Sequence, residues 1–272
     1  MNLKDRIGID LGRKVALEEG VAWAAKNGVR FIDCEIDSAP NELRSYLDGP
    51  RAAAVRAACE KHGVKLGLHT LSAVNIAETS PFVSAAADEY LRAYIDAAAR
   101  LGAGWIVVHG GFHFTGDYQA RRAASLARLE RTLPHAEKKG VRLLLENLNK
   151  EPKSAEVHYL CHSLEECQFY FGHLQGAHIG WAFTANHAHF EPEGIDGFID
   201  AMGLARAGEI RLADNRGEVE EHLYPGKGNI DFRRMFQRME GAGYRGHYMC
   251  AFGSLDDMLR GRNDLAAMAG NP

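Results

Sequence analysis

The chain has no run of about 18 apolar residues, the length at which a helix begins to cross a bilayer, so no membrane-spanning helix is expected. Its 5 cysteines (Cys34, Cys59, Cys161, Cys167 and Cys250) include no CxxC pair, and their odd number argues against a disulfide framework. Free thiols, buried or partly buried, are expected instead. A basic field is also missing: 32 Lys and Arg against 36 Asp and Glu leave a formal charge of -4, which disfavours nucleic acid as a partner. After the first apolar segment stands DLGRKVA rather than GxGxxG, so the fingerprint of a nucleotide cofactor is lacking. The opening MNLKDRIGIDLG has no apolar signal core, and a soluble cytoplasmic protein is the expectation. Linkers, repeats and low-complexity stretches are missing too, so residues 1–272 read as one domain.

What is present is a rhythm. RIGIDLG, FIDCEID, KLGLHT, WIVVHGG, VRLLLEN, IGWAFT, EIRLAD and HYMCAFG are short apolar segments separated by helical stretches. KNGV, KHGV, RLGAG, KKGV and GAGY close helices on glycine just before the next strand. Buried strands alternating with helices imply parallel pairing through right-handed crossovers. Eight such units predict an α/β fold closed into a (β/α)8 TIM barrel, with an open doubly wound sheet as the alternative. A hydrophobic content of 46% is enough for one large core.

A parallel barrel places chemistry at the carboxyl ends of its strands. Glu146 ends VRLLLE and passes into a polar loop, His69 ends KLGLH, His109 follows WIVV, and His187 follows IGWAFT. Burial should raise the pKa of Glu146 unless a donor or cation holds it charged; the residue reads as a metal ligand, a general base, or both. His69, His109 and Glu146 would form an open site for a divalent cation if their loops converge. A second set lies in DNRGEVEEHLYPGKGNIDF, where Glu220 and His222 are two apart and share one face of an extended segment; His187 would complete it. For each histidine the plain alternative is a hydrogen bond to a loop carbonyl. His187 and His189 alternate in NHAHF, so at most one should face the mouth. His113, His158, His162 and His173 read as solvated or structural. Lys227, in the tight turn PGKG, is a candidate contact for an anionic group. Asn147, Trp181, Asn149, Phe112, Phe114 and Phe183 are candidates to shape a pocket.

In this order, and with HLYPGKG matching an HxxxGxG element, the segments resemble the xylose-isomerase-like barrel superfamily over nearly the whole chain. That superfamily contains sugar-phosphate isomerases and epimerases, inosose dehydratases and the endonuclease IV type of DNA repair enzyme. The resemblance implies that Glu146 is its metal-binding strand-5 glutamate and that His69 and His109 are the histidines of the endonuclease-like members. It further matches His187 to the histidine of a DxxH motif, and Glu220 with His222 to the acidic-x-His of the seventh loop. Three positions depart from the pattern: Thr184 replaces the DxxH aspartate, Arg211 the histidine of HxxD before Asp214, and Ala251 the strand-8 glutamate. Charge arithmetic then suggests that Arg211 fills the volume of the absent cation and pairs with Glu146 in two-point fashion. A divalent metal (Mn, Mg or Zn) held by the other two sets stays open, as does a metal-free centre.

The activity implied is proton transfer beside a carbonyl on a small polyhydroxy compound, by isomerisation or a dehydration or lyase variant. Glu146 would be the base, Arg211 or a displaced metal the electrophile, and His187 a second acid or base. Asn147, Trp181, Asp214 and Lys227 are expected to contact substrate. A non-catalytic sugar-binding protein and a metal-dependent phosphodiester hydrolase are the competing readings. The expected partner is a small molecule, with neither nucleic acid nor membrane. A homodimer is common among such barrels, though no sequence feature requires one.

Overall fold

The computed structural model describes residues 2–270. Eight parallel strands form a closed barrel: β1 (Ile7–Asp10), β2 (Phe31–Cys34), β3 (Lys65–His69), β4 (Trp105–Val108), β6 (Arg142–Glu146), β8 (Ile179–Thr184), β9 (Ala207–Leu212) and β10 (His247–Cys250). The remaining two, β5 (Phe112–Phe114) and β7 (Val157–Tyr159), pair apart from it as an antiparallel ribbon. Closure is explicit at β1, where Ile9 is in register with Cys250 on one side and Ile32 on the other. That disposes of the open sheet. Helices such as Arg51–His62, Pro81–Leu101 and Tyr118–Lys139 cover the outside, and each of these three ends on a left-handed glycine, Gly63, Gly102 or Gly140. Among the described residues no helix is long and apolar enough to cross a membrane.

Two short elements differ from expectation. The β5–β7 ribbon joins the loops that follow β4 and β6, with Phe112 opposite Tyr159; three-residue strands carry too little alternation to be read from sequence. ANHAH, where the alternation of His187 and His189 implies an extended segment, is a helix (Ala185–His189) that starts directly at the end of β8. All five cysteines are buried and free, and the Cys161 and Cys167 sulfurs lie 3.7 Å apart.

The outer core fills the space between strands and helices. A second, smaller cluster of Phe31, Trp105, Val107, Leu144, Ala182 and Met249 plugs the barrel interior. Below the plug His247 stacks on Phe31, with ring centroids 4.7 Å apart. Beside the plug Glu209 bonds His247 at 2.9 Å, and from it the interior turns polar through Asp33 and Arg211 to Glu146 at the mouth. Large inward side chains are accommodated by bare backbone opposite them: a Cβ on Gly67 would fall 2.1 Å from the Trp105 indole. Arg262 closes the seam from outside, donating from Nε to the Ile7 carbonyl (3.0 Å) and from Nη2 to that of Gly28 (2.9 Å).

The β1–β2 seam generates a prediction. A Cβ on Gly8 would sit 2.5 Å from the Phe31 carbonyl oxygen, a backbone atom that cannot swing aside. Gly8→Ala should therefore destabilise the protein by about 1–3 kcal/mol, seen as a lower urea midpoint. An unchanged midpoint would contradict this packing.

Candidate functional site

The carboxyl ends of the strands surround a cavity of about 930 Å³. The first cluster on its wall comes from β3, the residue after β4, and the end of β6. His109 Nε2 lies 3.0 Å from His69 Nε2 and 3.1 Å from Glu146 Oε2, and His69 Nε2 lies 3.5 Å from the same oxygen. The second comes from the short helix after β8 and the loop after β9. Glu220 Oε1 is 3.0 Å from His187 Nε2 and 2.7 Å from His222 Nε2. The two-residue spacing of Glu220 and His222 thus brings both side chains together, as an extended segment should.

Hydrogen bonding on the far side of each ring fixes its tautomer. His187 Nδ1 lies 2.8 Å from the Asn147 carbonyl oxygen, and His222 Nδ1 lies 2.6 Å from that of Ala251. A carbonyl only accepts, so Nδ1 carries the proton and Nε2 of the neutral ring is bare. The Thr70 hydroxyl donates to the Val107 carbonyl (3.2 Å) and so accepts from His109 Nδ1 at 3.4 Å, which leaves His109 Nε2 bare as well. Bare nitrogens facing carboxylate oxygens have no proton to share. They require an imidazolium or a cation between them. The separations are close to the edge, about 3.3 Å, of a tetrahedron with 2.0–2.1 Å metal bonds, and backbone carbonyls behind metal-ligating imidazoles are the usual support. Both sets fit a divalent cation. A third grouping, Asp10, Asp33 and His69, does not, because a guanidinium already holds its carboxylates.

That guanidinium is Arg211, 3% exposed. Nη1 donates to Asp33 Oδ2 at 2.6 Å and Glu209 Oε1 at 2.7 Å, and Nη2 to Asp10 Oδ2 at 2.5 Å. Its Nε is 3.7 Å from Glu146 Oε1, too far for a hydrogen bond. The expected two-point pair with Glu146 is therefore corrected: the fork is taken up by three other carboxylates, and Glu146 Oε1 accepts from the Thr184 hydroxyl instead. Burial pushes the Glu146 carboxyl up, but in the metal-free protein hydrogen bonds from His109 and His69 in their imidazolium forms, with the charges of His69 and Arg211, hold it well below the usual range. A carboxylate so stabilised is a weak base, which counts against the expected role of Glu146 as proton acceptor and favours that of ligand. Burial, and then the charge of Asp10, pushes Asp33 well up.

A family model for the xylose isomerase-like TIM barrel matches residues 21–265. The chain belongs to that family. Solved structures of the same barrel include a D-tagatose 3-epimerase-like protein (19% identity, 97% of this chain and 96% of that one, TM-score 0.81). The D-psicose 3-epimerase of Clostridium cellulolyticum H10 is similar at 16% identity, 97% and 98% coverage and a TM-score of 0.78. The D-allulose 3-epimerase of Methylomonas sp. is similar at 21% identity, 99% and 97% coverage and a TM-score of 0.72. At these identities the likeness is one of fold. No curated protein matches the sequence.

Within this xylose isomerase-like barrel, the four expected substrate contacts do not line the mouth cavity. Asn147 is buried, accepting from Trp181 Nε1 (3.1 Å) and the Thr184 amide (2.9 Å), because alternation along β6 turns it away from the interior once Glu146 faces in. Trp181 itself is 1% exposed and belongs to the outer core. Asp214 is buried too, and its carboxylate accepts from the Gly226, Gly228 and Ile230 amides at 2.7, 2.9 and 3.1 Å. It staples the PGKG turn, which leaves Lys227 exposed outside the cavity. His189 turns away and bonds Asn229 at 2.5 Å.

Conversely, Asp10 and Glu35 line the mouth and Asp33 lies buried beneath it; none of the three is among the residues expected there. Asp10 carries the same signal as Glu146, an acid closing an apolar run, whereas Asp33 and Glu35 lie within FIDCEID. Glu35 lines the cavity, its Oε2 is buried with no hydrogen-bond partner, and burial raises its pKa.

The second cluster predicts a pH window for the metal-free protein. Burial opposes the charge of Glu220, but His187 and His222 hold its pKa down at about 2. Burial likewise opposes protonation of His222, and Glu220 outweighs it, so the pKa of His222 is raised. The Glu220 contribution to stability is present above the ordinary carboxylate pKa and lost as pH falls towards 2. The His222 contribution is present below the ordinary imidazole pKa and lost as pH rises through the raised value. Glu220→Gln should therefore lower the melting temperature of chelator-treated protein more at about pH 5.5 than at about pH 9. An equal loss at both would show that the pair does not share charge.

Proposed function

We propose that the chain is a metal-dependent isomerase acting on a small polyhydroxy carbonyl compound, with His69, His109 and Glu146 holding one cation and His187, Glu220 and His222 a second. The observation that carries this reading is the pair of two-histidine, one-carboxylate clusters whose bare nitrogens open onto one cavity. Imidazole-rich sets of this kind suit zinc better than manganese or magnesium, which favour oxygen ligands. Held by either set, a dication would supply a Lewis acid for a substrate carbonyl or hydroxyl and for negative charge developing on its oxygen.

The chain's own residues supply the rest. Glu35 takes a proton from the carbon beside the carbonyl: its carboxylate lines the cavity, one oxygen is free, and burial moves its pKa towards neutrality, where a general base works best. Arg211 keeps a fixed positive charge on the cavity wall while staying tied to Asp10, Asp33 and Glu209. Ala251 leaves no carboxylate on the β10 side to return a proton from the opposite face, so one base that takes the proton and returns it fits better than a two-base epimerisation. Epimerases among the structures of similar fold support a carbohydrate substrate.

The test is carbon–hydrogen exchange. Zinc- or manganese-loaded protein is incubated in D2O with a panel of ketoses and aldoses and followed by NMR. Deuterium should enter beside the carbonyl of at least one sugar, and Glu35→Gln should slow that exchange by about 10²–10⁴-fold with metal content unchanged. Exchange unaffected in Glu35→Gln would remove Glu35 as the base. Hydrolysis of bis(4-nitrophenyl) phosphate without any exchange would replace the isomerase reading with the hydrolase one.

A further inference from the structure

The loop between β6 and the helix Leu164–His173, residues 147–163, supplies Leu148, Asn149 and Tyr159 to the wall of the mouth cavity. Its two ends are bonded together, the Leu148 amide donating to the Cys161 carbonyl at 3.1 Å, and β7 within it pairs with β5. A compact loop whose ends meet depends for its placement on its neck. Cys161, in that neck, has φ 65° and is the only non-glycine residue with a left-handed backbone among the described residues. Such a conformation persists where surrounding contacts over-determine it, and residues of this kind cluster at clamps and switches.

The contacts that hold this neck converge on His162. Its Nδ1 lies 2.9 Å from Glu191 Oε1, on the loop after β8, and its Nε2 lies 3.9 Å from Glu166 Oε2. Its backbone N–H donates to that same Glu166 oxygen at 3.0 Å. Both carboxylates are buried. From the other side of the neck Lys150 Nζ reaches Glu191 Oε2 at 3.5 Å. A neutral ring that donates from Nδ1 to Glu191 turns a bare Nε2 towards Glu166; only the imidazolium serves both. Two buried carboxylates then face two cations, whereas loss of the ring proton leaves Lys150 to balance the pair. Burial opposes the charge of His162, but the hydrogen bond to Glu191, with the charges of Glu166 and Glu191, outweighs it and raises the pKa. Other ionisable groups near Glu166 are the Tyr118 phenol, pushed up to about 12 by burial and by Glu166, and the Cys161 thiol, pushed well up by burial and by Cys167. Arg122 Nη1 donates to the Tyr118 oxygen at 3.1 Å. Phenol and thiol both stay neutral while His162 titrates.

We propose that His162 is a pH-sensitive clamp on the mouth: as an imidazolium it ties the neck of the loop after β6 to Glu191 on the loop after β8, and as a neutral ring it lets that wall of the cavity loosen. Its contribution is present below the ordinary imidazole pKa and is lost as pH rises through the raised value. Mildly acidic conditions therefore favour the closed wall and alkaline conditions the loosened one. The clamp acts on the shape of the cavity, so it stands whether or not the chemistry proposed for the mouth is right.

Hydrogen exchange of chelator-treated protein, followed by mass spectrometry at about pH 6 and about pH 9 and corrected for the intrinsic exchange rate, tests this. In the wild type, protection across residues 148–160 should fall by about threefold or more at the higher pH, while that of β1 and β2 holds. His162→Gln, which keeps a donor without the charge, should show the lower protection at both pH values, and Glu191→Gln should remove the step as well. The midpoint of the wild-type step should match the titration of the His162 ring protons followed by NMR, a comparison that needs no variant. No step in the wild type, a step that persists in His162→Gln, or a midpoint away from that of His162 would overturn the proposal.

Discussion

Arg211 stands buried in the upper barrel with Asp10, Asp33 and Glu209 on its N–H groups and Glu146 just beyond hydrogen-bond reach. One guanidinium cannot neutralise four carboxylates. Unpaired charge in such a place is costly, so the imbalance has to be met by protonation or by further cations. Both responses are visible. Asp33 is pushed well up, and Glu146 sits against two imidazoles that hold it ionised. Towards the amino end the same chain of contacts runs on, as Glu209 bonds His247 at 2.9 Å beside the apolar plug.

This arrangement gives the three departures from the family pattern a common physical sense. The sequence resemblance matches Thr184, Arg211 and Ala251 to ligand positions of the family's usual metal centre, and in the fold the first two surround Glu146 Oε1. A fixed guanidinium and a hydroxyl occupy that side of the glutamate. Oε2 is left to face His69 and His109. The cluster at Glu220 is untouched by the change and keeps its own carbonyl-backed imidazoles. On the proposed reading, metal binding would be moved to either side of Arg211 rather than lost.

The barrel was legible because its strands are apolar runs ended by glycine-closed helices, a pattern that only a parallel sheet wrapped in helices satisfies. His69, His109 and Glu146 were legible for a related reason, since a titratable side chain closing such a run must emerge at the loop face. Glu220 and His222 could be paired from their two-residue spacing. Asn147 was misplaced although the rule was available: the residue after an inward Glu146 points out. The partners of Arg211 were beyond sequence reasoning, for Asp10 and Asp33 come from strands far along the chain and only closure brings them together. The capture of Asp214 by three amides of its own loop was likewise hidden, and with it the outward turn of Lys227.

The central claim is that the two histidine-carboxylate clusters flanking Arg211 hold cations. Crystals grown with zinc, with data collected on both sides of its absorption edge, test it most directly. Two anomalous peaks are predicted, one among His69, His109 and Glu146 and one among His187, Glu220 and His222, with Arg211 still on Asp10, Asp33 and Glu209. A map without peaks at either cluster, or a single peak between Thr184 and a displaced Arg211, would contradict the account.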